Sequence, residues 1–340
     1  MSLTLEYFYN KTKEKYKLSL LTDNPNLSKQ ITWVYLLEDI SNCSFIRKGE
    51  LIITTGLAIK TVSQLYSLIE AIYSHGACGI IFNTGTYISK IPDEITNLGN
   101  KLNFPIFCMP WEIHIADIMH EYCNEIISEE KTFEKMNSAL KTAITTDINN
   151  DTEKLLNQFK SFYLIASYNE LKILYYAFAK VDNVYYYICS KDSFSKLERN
   201  IGISNLISDV HLMKQYQKQA FKALMVSVIK QCNTLYFSEI GLYDIALSIH
   251  DPDVLLSART LLLPVANADL RATFRCYLEC NCSVQTVADK MFVHRNTINY
   301  RIRQIEQILN TDISMPENRL KYLLAFYLHD CLQLYEQNSL

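Results

Sequence analysis

Between Val293 and Gln304 the chain carries three formal charges, Arg295, Arg301 and Arg303, and no acid. Asn296, Thr297, Asn299 and Tyr300 are interleaved with them. A guanidinium binds phosphate or a guanine edge bidentately, and an asparagine can pair both edges of an adenine. Asn296, Asn299 and Arg303 are therefore candidate base readers. Arg295 and Arg301 lie nearer the flanks of a helix through this stretch, where long side chains reach phosphates and fix register. Amides at the helix start, near His294 to Thr297, would add a further phosphate contact. Two alternatives stay open: a charged amphipathic helix is commonly a solvated surface, and Tyr300 suits packing as well as recognition.

The elements that must hold these groups are two short helices between Ser283 and Leu309. Val284, Val287, Ala288 and Met291 share one face of the first, and Phe292 and Val293 break its pattern. Ile298, Ile302, Ile305 and Leu309 make a single apolar stripe on the second. At about 100° per residue, Asn296, Tyr300 and Arg303 fall nearly opposite that stripe. Two helices joined by a tight turn, with a basic outer face, have the layout of a DNA-reading helix-turn-helix.

That string, Val293, His294, Arg295, Asn296, Thr297, Ile298, Asn299, Tyr300, Arg301 and Ile302 followed by Ile305 and Glu306, closely resembles the C-terminal DNA-binding domain of the PucR (purine catabolism regulator) family of bacterial transcription regulators. Leu270, Thr273 and Tyr277 resemble its first helix, and Pro316, Asn318, Arg319, Leu320, Leu323 and Ala325 its closing one. The resemblance implies an operator or promoter DNA as partner.

With 340 residues the chain should hold two or three domains. A composition of 49% hydrophobic and 20% charged residues is globular, and a net charge of -3 confines any nucleic-acid binding to a local patch. No apolar run approaches the length of a membrane span, and Asn10 and Lys11 interrupt any secretory core. A soluble, cytoplasmic protein is expected, with no membrane association. The ten cysteines are scattered through apolar runs and read as buried thiols. Cys276, Cys280 and Cys282 lack a matching ligand pair, and His114, Asp117, His120 and Glu121 lack an identifiable completing ligand, so neither a metal nor a cofactor is expected.

From Ile31 to Glu130, β-branched runs alternate with helical segments, an α/β signature. ITWVYLL, ELIITTG, CGIIFNTG and FPIFCMP read as strands of a largely parallel sheet, with helices over Thr61 to Ser74 and Asp93 to Leu102. Ligands of such sheets bind beyond the strands' carboxyl ends. Those ends hold Thr54, Thr55 and Gly56, then Asn83, Thr84 and Gly85, then Pro110 and Trp111; the glycines serve equally well as turn formers. Leu37 to Ile40, Lys48 to Leu51, Thr54 to Gly56, Ile91, Pro92, Phe104, Pro105 and Met109 to Glu112 resemble the N-terminal PucR domain, which implies an effector-sensing input. The resemblance implies a small effector, purine-derived or an amino acid.

A helix is expected from Ile115 to Ala143, with Met119, Tyr122, Ile126, Phe133, Met136 and Leu140 at heptad positions. Such a stripe fits a homodimer seam or packing on its own domain equally. TTDINNDT marks a boundary, and FYLIASY, LKILYYAFA and VYYYICS read as strands, followed by a helix over Ser208 to Lys230. Ile201 to Ser204, Gln219, Ala220 and Ala223 resemble the degenerate GGDEF-type, cyclase-like domain of this family. The catalytic loop and its metal-binding acids are missing, so phosphoryl transfer lacks charge stabilisation.

The expected architecture is multidomain: a sensor (1–113), a helical connector (114–150), a non-catalytic α+β domain (151–252) and an all-α helix-turn-helix domain (253–340). The expected function is a homodimeric, effector-responsive transcription regulator of purine, amino-acid or nitrogen genes, with no enzymatic activity. The alternatives are a small-molecule-binding protein whose C-terminal helices take a protein partner, and an α/β enzyme. No nucleophile elbow, Walker loop or dinucleotide fingerprint supports the second.

Overall fold

The computed structural model describes residues 3–159, 161–194 and 200–338. The chain forms two compact units, Met1–Glu134 and Lys135–Leu340.

In the first unit, helix α1 (Leu5–Thr12) starts where the Thr4 hydroxyl accepts from the Tyr7 amide. Strands β1 (Ser19–Leu20), β2 (Trp33–Leu36) and β3 (Glu50–Thr54) follow, then α2 (Val62–Ser74), β4 (Gly79–Thr84), α3 (Asp93–Leu102) and β5 (Ile106–Pro110). The sheet order is β1-β5-β4-β3-β2, parallel except for β1, which runs antiparallel to β5. β3 is buried along its whole length because side chains on both faces enter a core. Ile52, Ile80, Phe82 and Ile106 meet Leu65, Leu68, Ile69 and Ile72 of α2 and Ile95 and Leu98 of α3. Leu51, Ile53, Ile81, Phe107 and Met109 meet Leu5 and Phe8 of α1 and the start of helix α4 (Ile115–Thr145). Double-sided burial is why these strands read as unbroken apolar runs. Each of the four expected strands and both expected helices is present. α1 and β1 are additions to the expected elements, and α1 is tied to α4 by Thr12–Tyr122 at 2.6 Å and Lys11–Glu125 at 2.7 Å.

The heptad stripe of α4 is largely occupied inside its own chain. Met119, Tyr122 and Ile126 join the first unit's core, and Met136 and Leu140 join a core of the second. Phe133 alone of the six is appreciably exposed, at 37%. Periodicity reported which face of the helix is apolar, and the chain's own cores cover it, so the stripe is not an open dimer seam.

In the second unit, α5 (Asn150–Leu156) precedes β6 (Tyr163–Ser167), β7 (Ala177–Val181), β8 (Val184–Cys189), β9 (Ile201–Ile203), α6 (Met213–Ile229) and β10 (Thr234–Tyr236). The sheet order is β10-β9-β6-β8-β7, antiparallel except for the β9–β10 pair. The expected LKILYYAFA strand begins only at Ala177, because Leu171 turns away to pack in a small core and gives its amide to the Tyr187 hydroxyl. α6 lies directly on β9: a methyl at Gly202 would collide with the backbone of Ala220 and Leu224. Tyr216, Ala220 and Leu224 face the sheet core, while Ala223, Met225 and Val226 enter a second core built by α7 (Tyr243–Ala246), α8 (Pro252–Leu262), α9 (Ala268–Glu279), α10 (Val284–Met291), α11 (Arg295–Leu309) and α12 (Pro316–Asn338). The expected division between 151–252 and 253–340 therefore lies inside one compact unit, with α6 serving both cores.

Candidate nucleic-acid interface

α9, α10 and α11 form a three-helix arrangement whose last two members are the expected pair. Ser283 caps α10, its hydroxyl accepting from the Thr286 amide at 3.4 Å. α10 ends on Phe292, which adopts the left-handed conformation (φ 55°), and Val293 donates its amide to the Ala288 carbonyl. His294 then caps α11, its ring Nδ1 accepting from the Asn296 amide at 3.2 Å. Ile298, Ile302 and Ile305 are buried against Val287, Ala288 and the α12 core. Each such side chain contributes about 1.5–3 kcal/mol on burial, and the stripe fixes which way the rest of α11 faces.

Arg295, Asn296, Thr297, Asn299, Tyr300 and Arg303 are all exposed. Tyr300 is 68% exposed, so its ring is not a packing residue within this chain. Arg301 departs from its expected place. Its guanidinium turns back to α9, donating to the Thr273 hydroxyl at 3.1 Å and pairing with Asp269 at 3.5 Å. It falls on the flank of α11 that meets α9, where a partner for its fork is already present, so it orients the helix rather than facing outward. Beyond the likeness of Thr273 to the family's first helix, neither Thr273 nor Asp269 is marked by the local sequence, because their links to Arg301 span 28 and 32 positions.

The frame behind α11 is rigidly tied. Arg275 of α9 bonds Asp330 of α12 (3.0 Å) and the Tyr243 hydroxyl of α7 (3.0 Å), and Tyr243 donates to Asp330 at 2.5 Å. Burial and the Asp330 hydrogen bond push the Tyr243 phenol far above its ordinary range, so it stays a neutral donor. Arg319 of α12 holds the Asn281 side chain in the turn between α9 and α10.

The carboxyl edge of the first unit's sheet is built differently. Thr54 is buried and accepts from the Gly56 amide at 3.0 Å. Thr55 gives its hydroxyl (2.7 Å) and amide (3.0 Å) to Glu38, which also accepts the Leu57 amide at 3.2 Å. Gly56 has φ +78°, and a methyl there would strike Ile88. The Asn83 amide donates to the carbonyls of Pro110 (3.0 Å) and Ile113 (3.3 Å), and Thr84 to that of Met109 (3.3 Å). Gly85 lies against the Trp111 side chain. The structure thus brings the expected effector residues Thr54, Thr55, Gly56, Asn83, Thr84, Gly85 and Trp111 to one edge, but the side-chain donors of Thr55, Asn83 and Thr84 are engaged in holding loops. Trp111, 41% exposed and edge-on to Tyr87 at 5.6 Å, is the member whose side chain still faces solvent. Glu38 carried no role in the sequence reading beyond the family likeness. A hollow of about 440 Å³ lined by Thr4, Glu6, Tyr7, Asn10 and Lys11 lies elsewhere, since Thr4 bridges Gln30 at the strands' amino ends.

Residues 11–126 match the purine catabolism regulatory protein-like family, and residues 270–328, from α9 into α12, match the PucR C-terminal helix-turn-helix domain. The chain belongs to the PucR family. The Purine catabolism regulatory protein of Bacillus subtilis (strain 168) is 27% identical over 110 residues, covering 32% of this chain and 21% of that protein. The Proline-responsive transcriptional activator PutR of the same organism is 28% identical over 138 residues, covering 38% of this chain and 34% of that protein. The chain therefore matches well under half the length of these relatives. A crystal structure of a Regulator of Polyketide Synthase Expression from Bifidobacterium adolescentis, 11% identical, covers 58% of this chain and 92% of that one at a TM-score of 0.25, too low to support any argument.

The remaining chemistry of this PucR-family chain is quiet. Burial pushes the Cys78, Cys189 and Cys331 thiols up to about 12. Cys276 and Cys280 sit 3.9 Å apart, and burial together with their mutual hydrogen bond raises Cys276 as well. Among the described residues no group of three or more His, Cys, Asp or Glu is arranged to hold a metal, and no helix is long and apolar enough to cross a membrane.

Proposed function

We propose that this chain is a cytoplasmic, effector-responsive transcription regulator that reads DNA with α11 and controls purine, amino-acid or nitrogen genes. The observation that carries the reading is the outer face of α11: six polar or cationic side chains exposed together, without an acid, on a helix whose opposite stripe is buried. Asn296, Asn299 and Arg303 are assigned to base edges, Arg295 to phosphate, and Thr297 and Tyr300 to the flanks. Arg301 positions the helix through Thr273. Two such helices in a homodimer would meet half-sites one helical turn apart or a multiple of it. That dimer rests on the two-fold logic of DNA recognition, since α4 no longer supports it.

The effector is assigned to the carboxyl edge of the β3–β4–β5 sheet. It would meet Trp111 and Tyr87, whose rings remain open, in preference to Thr55 or Asn83, whose donors are engaged. A planar purine-like ring suits an aromatic pair of this kind. The sheet β6–β10 with α6 fits a degenerate cyclase-like domain by its order of elements, and no reaction is assigned to it. An effector acts only by binding two conformations unequally. The test is full-chain binding to duplex DNA from its own upstream region, with and without added purines or amino acids. A preference over a scrambled duplex that one compound class changes supports the proposal, and equal binding to both duplexes overturns it.

A further inference from the structure

Phe292 occupies a position that both sterics and solvent disfavour for an aromatic. Its φ of 55° puts it in the left-handed region, where a Cβ is strained and Gly or Asn is the usual occupant. The same chain uses Asn103 and Asn310 at the equivalent ends of α3 and α11. The ring is also 96% exposed, the highest value among the large apolar side chains of the described residues. The strain is not offset by packing, since the next residue, Val293, is the one that turns onto the core. The turn is pinned by the amides of Phe292 and Val293, both donating to the Ala288 carbonyl, so the ring's outward station is fixed rather than incidental.

What lies around the ring indicates its partner. It stands two residues before the His294 cap, at the end of α11 that presents Arg295 and Asn296. From Lys290 to Gln304 the chain holds Lys290, Arg295, Arg301 and Arg303 and no acid. With Arg301 engaged by Asp269 and Asp289 the one acid adjoining the stretch, the exposed Lys290, Arg295 and Arg303 leave the bare aromatic among predominantly cationic side chains. Such a surface is complementary to a polyanion that also offers apolar groups, and DNA presents the thymine C5-methyl at its major-groove edge. We propose that Phe292 is a specificity-determining residue that packs on a thymine methyl beside the bases read by Asn296. This inference rests on the DNA-reading assignment of α11.

The experiment uses the full chain and a duplex selected by the wild-type protein from a random pool, with affinity followed by fluorescence anisotropy. Phe292→Gly removes the ring and relieves the left-handed strain, so its thermal midpoint should equal or exceed that of wild type while affinity falls about tenfold. Phe292→Leu, which keeps apolar surface, should fall between. Replacing the contacted thymine by deoxyuridine should weaken wild type and leave Phe292→Gly unchanged. Equal affinity of wild type and Phe292→Gly overturns the inference, as does an equal deoxyuridine loss in both. Loss of self-association with DNA affinity intact also overturns it and assigns the ring to a second copy. If the wild-type chain selects no sequence, the DNA-reading assignment fails first, a result distinct from a defect confined to Phe292.

Discussion

The outer face of α11 and the carboxyl edge of the N-terminal sheet were both expected to bind something, and they differ in what their polar atoms are doing. On α11, Asn296, Asn299 and Arg303 stand in solvent, while the structural bonds of that helix are made by Arg301 and the His294 cap. At the sheet edge, Thr55 is clasped by Glu38, and Asn83 bridges two carbonyls. Polar groups left free on a rigid support are available to a partner; polar groups satisfied internally are holding a loop. Residue type alone does not separate these cases, since asparagine appears in both.

The largest effect that would sharpen this contrast is on Asn83. Asn83→Ala removes the donor that bridges the part-buried carbonyls of Pro110 and Ile113, of which Pro110 keeps the Ile113 amide. Chemical denaturation should show a loss of about 2 kcal/mol, with DNA affinity of the folded protein unchanged. A loss of effector response without destabilisation would break the contrast and return Asn83 to the ligand. Next comes Arg301→Ala, which should cost about 1 kcal/mol of stability through the lost Thr273 bond and lower affinity for all sequences alike. Smallest in stability is Arg295→Ala, within about 0.5 kcal/mol of wild type. It should instead lower the slope of log affinity against log salt by about one. If Arg295→Ala unfolds the domain while Arg301→Ala does not, the two arginines have been assigned the wrong way round.

Much of the architecture is legible in the residues. The strands of the first sheet follow from unbroken apolar runs, and α2 and α3 from periodicity between turn residues, with Thr61 and Gln64 forming the capping box of α2. The helix-turn-helix pair follows from its isoleucine spacing. Less legible is whatever depends on distant partners. Asn83 meets residues 27 and 30 positions away, and Arg301 meets Thr273 across 28. The stripe on α4 was visible, but periodicity cannot say whether a second copy or the chain's own core covers it. Helix α1 did leave a signal, with Leu5, Phe8 and Thr12 on one face behind the Thr4 cap, and its shortness hid it. The core spanning α6 to α12 was invisible from composition, because the packing of Ala223, Met225 and Val226 against residues of α7 to α12 joins positions distant in the chain.

The central claim is that the exposed face of α11 reads bases, and the most direct measurement is the affinity ratio between a wild-type-selected duplex and a scrambled one. The ratio is compared for wild type and the Asn296→Ala, Arg303→Ala double variant at one salt concentration. With each bidentate contact contributing about 1–3 kcal/mol of discrimination, wild type should show a large ratio that collapses toward unity in the double variant, with the thermal midpoint unchanged. A double variant that keeps the wild-type ratio would contradict the account.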